Sequence, residues 1–353
     1  MHRDLVDMLQ CPSCGSTLSW QVQQVERHQI LEGEARCTNC SATYPVKDGI
    51  GIFLTPDLPR EDLWEAVDSH LTRFLKERPD IEEKLLGSPL QSLSPADQHF
   101  RGMVLAERGL YREAEEAFAQ ASVGIYTDEY RRGSRAQIDF VIHRLKHRFL
   151  GGEGLVVDLA SGMCTLVDAI LKETSGIRTV ISDFSPRVLR RQKAYYRWCG
   201  LADRTEFLAF DVRKMPFKNN SISALTTYVG FQNIQYGANE TVKEVARVLS
   251  GELLAVCLFH PEHDIESREY LRNYGLEELA FKASALDALS RAGLDAGVEN
   301  AIAVRALPTP KSCLIEGAGI DALPLKETVL EWCTVVVKRK QQLRQGDRSK
   351  IQD

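Results

Sequence analysis

The stretch Leu155-Val156-Val157-Asp158-Leu159-Ala160-Ser161-Gly162-Met163-Cys164 decides the architecture of this 353-residue chain. Its first five residues read as a buried strand. The small residues 160–164 then turn the chain into a helix, which presents a helix N-terminus to a ligand. Beyond this point short β-rich runs alternate with helical stretches, the pattern of a parallel sheet with crossover helices.

Working outward, residues 178–182 read as a second strand ending in Asp183, 21 positions after Gly162. An acid there is placed to accept hydrogen bonds from both hydroxyls of a ribose. Residues 205–210 read as a third strand ending in Asp211, placed to accept from an adenine amino group, with Val212 beside it. A fourth strand, 224–229, runs into Gly230-Phe231-Gln232-Asn233-Ile234, and a fifth, 251–259, ends at His260-Pro261-Glu262-His263. Residues 283–293 read as a helix, and 298–306 and 329–337 as a terminal antiparallel hairpin. A nicotinamide-binding fold would carry G-x-G-x-x-G at the first turn, and that pattern is absent.

Over residues 125–340 these features resemble the class I S-adenosylmethionine-dependent methyltransferases. The resemblance implies a Rossmann-like seven-stranded sheet. It also implies that Asp158 holds the amino group of the cofactor's methionine end, Asp183 the ribose and Asp211 the adenine. Asp183-Phe184-Ser185-Pro186 matches the family's Asp-x-Ser-Pro, in which Phe184 packs on adenine. Met215-Pro216-Phe217 and Glu244-Val245-Ala246-Arg247-Val248-Leu249 match later motifs. The glycine loop departs from the family. Ala160 and Cys164 stand on either side of Gly162 where glycine is usual, and a side chain at 164 is expected to disfavour φ > 0. Tyr130, with Tyr126 and Arg131, precedes the first strand, where the family closes a lid over the methionine carboxylate.

Gly230-Phe231-Gln232-Asn233 resembles the Gly-Leu-Arg-Asn segment of quinone-biosynthesis C-methyltransferases. Tyr228, Asn233 and His260 are the candidate catalytic residues, because ligands of open α/β sheets sit outside the carboxyl ends of the strands. The loop at Pro308-Thr309-Pro310 is expected to border the acceptor pocket. Methyl transfer asks the protein mainly for alignment, and for a base only if the acceptor must lose a proton.

At the other end of the chain, Cys11-Pro-Ser-Cys14 and Cys37-Thr-Asn-Cys40 form two C-x2-C pairs with 22 residues between them. Four thiolates complete a tetrahedral zinc shell and leave no open position, so the metal is expected to be structural. The following Tyr44-Pro45-Val46-Lys47-Asp48-Gly49-Ile50 resembles the small zinc-ribbon family that includes activator subunits of RNA and protein methyltransferases. Gly51 stands where that family commonly has proline.

Four regions are expected: a zinc ribbon at 1–56, a helical linker or cap at 57–150, the cofactor domain at 151–340 and a basic tail at 341–353. The helical region opens around Pro59 and Glu61-Asp62-Leu63-Trp64-Glu65. It contains one tetratricopeptide-like hairpin over residues 100–121, whereas solenoids need about three copies. A hairpin capping the enzyme is the simpler reading. The basic tail is expected to begin around Lys338.

Composition is ordinary for a globular protein, with 44% hydrophobic and 26% charged residues and a net charge of −5. Nine cysteines without a secretory signal point to a reducing cytoplasm. No apolar run reaches the roughly 18 residues of a membrane span. A small-molecule acceptor is the leading expectation. RNA is the alternative, prompted by Arg187, Arg190, Arg191, Lys193 and Arg197 on one helix. A catalytically idle adaptor, binding a protein partner through the ribbon or helical region, is the third.

Overall fold

The computed structural model describes residues 1–58, 63–150 and 152–340, with the side chains of 63–69 excepted. Pro59, Glu61-Asp62, the side chains of Trp64 and Glu65, and the basic tail at 341–353 lie outside the described residues.

The N-terminal unit comprises α1 (Arg3–Val6), β1 (Leu18–Glu26), β2 (Gln29–Cys37), β3 (Thr43–Lys47) and β4 (Ile50–Ile52). All four strands pair antiparallel in sequence order. The helical region follows as α2 (Leu63–Glu77), α3 (Pro79–Gly87), α4 (Pro95–Glu107), α5 (Tyr111–Ile125) and α6 (Asp128–Arg148). Ser94 caps α4, its hydroxyl accepting from Asp97 N, and Thr127 caps α6 by accepting from Tyr130 N. Gly102 lets α4 and α5 approach closely, since a Cβ there would lie 2.8 Å from the Phe118 ring. The α4–α5 hairpin lies against the helix Pro186–Trp198, with Tyr111 meeting Tyr195 and Trp198.

The remainder is the alternating unit. It runs β5 (Gly154–Asp158), α7 (Thr165–Glu173), β6 (Ile177–Asp183), α8 (Pro186–Trp198), β7 (Thr205–Ala209), β8 (Ile222–Tyr228), α9 (Ala238–Val248) and β9 (Leu249–Phe259). Then come α10 (Ile265–Asn273), α11 (Glu277–Ala280), α12 (Lys282–Arg291), β10 (Leu294–Ala306) and β11 (Thr328–Arg339). Lys338 and Arg339 therefore end a strand rather than begin a tail. Seven strands lie in the order β7-β6-β5-β8-β9-β11-β10. The first five are mutually parallel, and β11 runs antiparallel to both of its neighbours. Order reverses at β5, so the carboxyl ends of β5 and β8 face the switch-point crevice.

The expected seven-stranded sheet is present, but the strand count of the whole sheet is eleven. The ribbon is not a bead on a linker. Its strand β4 pairs parallel with β7, Ile50 opposite Phe207 and Ile52 opposite Ala209. Phe53 N donates to Ala209 O at 2.7 Å, Gln10 N to Pro216 O and Lys218 N to Met8 O, both at 2.8 Å. One apolar core runs through both units, holding Leu5, Leu9, Tyr44 and Phe53 together with Leu208, Phe210 and Phe217. The ribbon so covers the backbone edge that β7 would otherwise present to solvent.

Candidate functional site

The loop after β5 is stitched to its neighbours through its own small residues. Ser161 N donates to Ser182 O at 2.7 Å, Ser182 Oγ to Asp158 O at 2.6 Å, and Ser161 Oγ to the same carbonyl at 3.1 Å. Gly162 N donates to Asp183 Oδ2 at 3.1 Å, which joins the first and second predicted acids through one backbone group. Asp183 Oδ1 accepts from Ser185 N at 2.9 Å.

Backbone angles at the loop give an unexpected result. Ala160, Gly162 and Cys164 have φ of 50°, 48° and 60°. All three positions of the glycine pattern are thus left-handed, although only one is glycine. The expectation that Cys164 would refuse positive φ is corrected. Its buried thiol is packed with Val167, Leu171 and Leu189, and that burial holds it in a backbone state costing about 1–2 kcal/mol. Val229, just after β8, has φ 57° and is β-branched, a third non-glycine residue held at positive φ in these loops.

Asp158 is 1% exposed and makes no ion pair among the described residues. Thr226 Oγ1 donates to its Oδ1 at 2.6 Å. Burial raises its pKa from 3.8 to about 6, against the opposing pull of the Thr226 and Ser161 hydroxyls. A buried carboxylate with no cation fits a ligand that brings its own ammonium. Asp211 is different: both of its oxygens accept from Arg213, at 2.9 and 2.6 Å. A base at that position would share the acid with a guanidinium. Phe184 is half-buried beside Asp183, and Val212 is buried.

Gly230 brings the β8 loop against this floor. A Cβ there would lie 2.4 Å from Thr227 Oγ1 and 2.9 Å from the carbonyls of Leu159 and Ala160. Tyr228 donates to or accepts from Ser134 Oγ at 2.5 Å, and burial pushes its pKa up to about 12. Its ring lies 5.7 Å from Trp332, which also meets Tyr130 at 5.3 Å. Tyr130 stacks on Tyr126 at 4.7 Å and 9°. Tyr228 and Tyr130 thus belong to one aromatic wall. His260 follows β9 and lies against Phe281, with a buried Nδ1 that has no hydrogen-bond partner among the described residues. Burial lowers its pKa, keeping the ring neutral and able to accept a proton. Asn233 is exposed and turns back on its own loop, its Nδ2 donating to Val229 O at 3.2 Å. Thr226, Val229 and Trp332 had no signal in the sequence beyond lying in strands. Gln232 bridges both backbone groups of Leu258 at 2.8 Å, fixing the loop beside β9.

The four cysteines of the ribbon converge. Their Sγ atoms all lie within 4.8 Å of one another. Cys11 and Cys40 are 3.6 Å apart, and Cys14 and Cys37 3.4 Å. Thiolates around one tetrahedral zinc are about 3.8 Å apart, so the donor set fits that ion. The N–H groups of Asn39 and Cys40 both point at Cys37 Sγ at 3.4 Å, favouring its thiolate.

Family comparison agrees with this division. Residues 2–49 match the model described as Trm112p-like protein, and residues 156–252 match that described as methyltransferase domain. The chain joins a Trm112p-like domain to a methyltransferase domain. Among curated proteins it is similar to a ubiquinone/menaquinone biosynthesis C-methyltransferase of Pseudomonas putida (strain GB-1). That match is 28% identical over 193 residues, 51% of this chain and 72% of the relative. The enzyme of the same description from Pseudoalteromonas translucida (strain TAC 125) is 25% identical over 144 residues, covering 38% of this chain and 56% of the relative. The chain thus spans about half to three quarters of these relatives. Among solved structures it is similar to YcgJ of Bacillus subtilis, with TM-score 0.45, 15% identity, and coverage of 58% of this chain and 99% of that one. No helix among the described residues is long and apolar enough to cross a membrane.

Proposed function

We propose that this chain is an S-adenosylmethionine-dependent methyltransferase for a small-molecule acceptor, with a zinc-held ribbon built into the edge of its sheet. The observation that carries the reading is Asp158: fully buried, without a cation, at the switch-point end of β5. An adenosylmethionine ammonium would neutralise it, Asp183 would take the ribose hydroxyls, and Phe184 would pack on the adenine. When bound, the cofactor supplies a methyl group already activated on a sulfonium. The chain's own residues align the acceptor at the carboxyl ends of β8 and β9, along the wall of Tyr228 and Tyr130. His260, neutral and with a buried Nδ1 unpartnered among the described residues, is one group able to accept a proton at the end of β9.

The small-molecule class is supported by where the basic helix spends its charge. Arg187 and Arg191 of α8 face Glu107 of α4 at 3.9 and 3.5 Å. Lys193 pairs with Asp48 of the ribbon at 3.1 Å. Arg131 pairs with Asp128, and Arg135 with Asp139 and Glu173. Arg187, Arg191 and Arg135 thereby tie the helical region, and Lys193 the ribbon, to the methyltransferase domain, while Arg131 pairs within α6; Arg190 and Arg197 are the exposed pair on α8. All nine cysteines are unpaired by disulfides, which suits a reducing cytoplasm. The test is transfer of labelled methyl from S-adenosylmethionine into a metabolite extract and into total RNA, in parallel. Label in small molecules is expected. Label in RNA alone would overturn the acceptor class.

A further inference from the structure

The loop between β10 and β11, residues 307–327, carries Asp321 to the aromatic wall. Tyr126 OH donates to Asp321 Oδ2 at 2.7 Å. Asp321 makes no ion pair among the described residues, and no cation contributes to its electrostatic surroundings. The residue is open to solvent, yet enough protein surrounds its carboxyl to raise its pKa from the ordinary value. Tyr126 stacks on Tyr130, and Trp332 meets both Tyr130 and Tyr228, each of the three tyrosines being half-buried.

The loop is not free to drift. Asp97 of α4, 1% exposed, accepts from Ser312 Oγ, from Cys313 N at 3.2 Å and from Leu314 N at 3.2 Å. Thr309 Oγ1 donates to Asp321 O and accepts from Asp321 N, at 3.1 and 3.2 Å. Both ends of the segment bearing the acid are therefore tied down, one of them to the helical cap.

We propose that Asp321 and the cluster of Tyr126, Tyr130 and Tyr228 beside it form an acceptor subsite for a cationic amine. A carboxylate supplies the charge complement, and tyrosine faces attract a cation through their quadrupoles. This inference rests on the methyltransferase reading and names the acceptor class within it. The chemistry balances. The bound ammonium gives one proton to Asp321, and the freed nitrogen lone pair forms the new N–C bond. The sulfur keeps the pair of the S–C bond that breaks, and the methylated product is again an ammonium.

The test uses full-length, zinc-loaded protein saturated with S-adenosylhomocysteine, and titrates benzylamine against its neutral isostere benzyl alcohol. Benzylamine is expected to bind at least about tenfold more tightly. Asp321→Asn should abolish that preference, and Tyr126→Leu should weaken the amine several-fold. S-adenosylhomocysteine affinity should stay within about twofold in Asp321→Asn. Equal binding of amine and alcohol, binding of neither, or a preference that survives Asp321→Asn would overturn the proposal. So would a loss of S-adenosylmethionine affinity in Asp321→Asn with S-adenosylhomocysteine unaffected, because the cation would then be the cofactor's sulfonium. Failure of the wild type to bind S-adenosylhomocysteine at all would instead strike the underlying methyltransferase reading.

Discussion

Replacing Asp158 with asparagine should make the ligand-free protein more stable at neutral pH while destroying cofactor binding. The carboxyl is 1% exposed and its pKa is raised from 3.8 to about 6 by burial. A raised acid contributes favourably below its unfolded pKa, and that contribution is lost as pH rises through the folded one. A shift of about two units corresponds to about 3 kcal/mol by pH 7.5. The asparagine amide keeps the bond from Thr226 but gains an N–H pair to satisfy, which costs about 1 kcal/mol. A net gain of about 2 kcal/mol remains, or a few degrees in Tm for a chain of this size. Thermal unfolding of wild type and Asp158→Asn from pH 4.5 to 8 measures it, because every other titrating group is common to both. The gap should be widest at pH 8 and vanish or reverse near pH 4.5. S-adenosylhomocysteine should raise the Tm of the wild type only. A variant no more stable than wild type at pH 8, or a gap independent of pH, would refute the claim that Asp158 is a strained, cation-seeking acid.

Four further outcomes follow from the same geometry. Gly230→Ala should weaken S-adenosylhomocysteine at least about tenfold with little loss of helix content, since its Cβ meets the Leu159 and Ala160 carbonyls; calorimetry checks the affinity and circular dichroism the fold. Gly51→Val should cost about 1–3 kcal/mol, because a Cβ at 51 would lie 2.8 Å from Leu208 and 2.9 Å from Phe53 at the seam of ribbon and sheet. Denaturant unfolding should show that loss in both units together. Removing zinc with a chelator, or Cys37→Ser, should raise hydrogen exchange in residues 205–209 as well as in the ribbon, because β4 covers the β7 edge. Asp97→Ala should leave residues 312–321 open to proteolysis, having removed the acceptor of Cys313 N and Leu314 N.

The sequence makes the methyltransferase unit readable because strand, small turn and acid recur in a fixed order. Asp158, Asp183 and the 160–164 loop do meet around one turn, through Gly162 N and the Ser161–Ser182 bonds. The four cysteines were equally readable, since two close pairs leave few ways to place four thiolates. Tertiary facts were not. The pairing of residues 50–52 with 207–209 joins segments more than 150 positions apart, and nothing in Ile50-Gly51-Ile52 names its partner. The charges on α8 were plain, but Glu107 and Asp48 as their counterparts were not, so the helix looked available for RNA. Cys164 marks the limit of propensity arguments. A side chain disfavours positive φ, yet buried packing around its thiol holds φ at 60°. Asp211 was read for its position alone, while its neighbour Arg213 occupies both oxygens.

The most direct test of the central claim is calorimetric titration of the zinc-loaded full chain with S-adenosylmethionine and S-adenosylhomocysteine, for wild type, Asp158→Asn and Asp183→Ala. The structure predicts one cofactor per chain for the wild type, with affinity falling as pH drops below about 6 and Asp158 protonates. Both variants should lose at least about tenfold, as expected for removing a charge-assisted contact. No heat of binding in the wild type, or equal affinities in all three proteins, would contradict it.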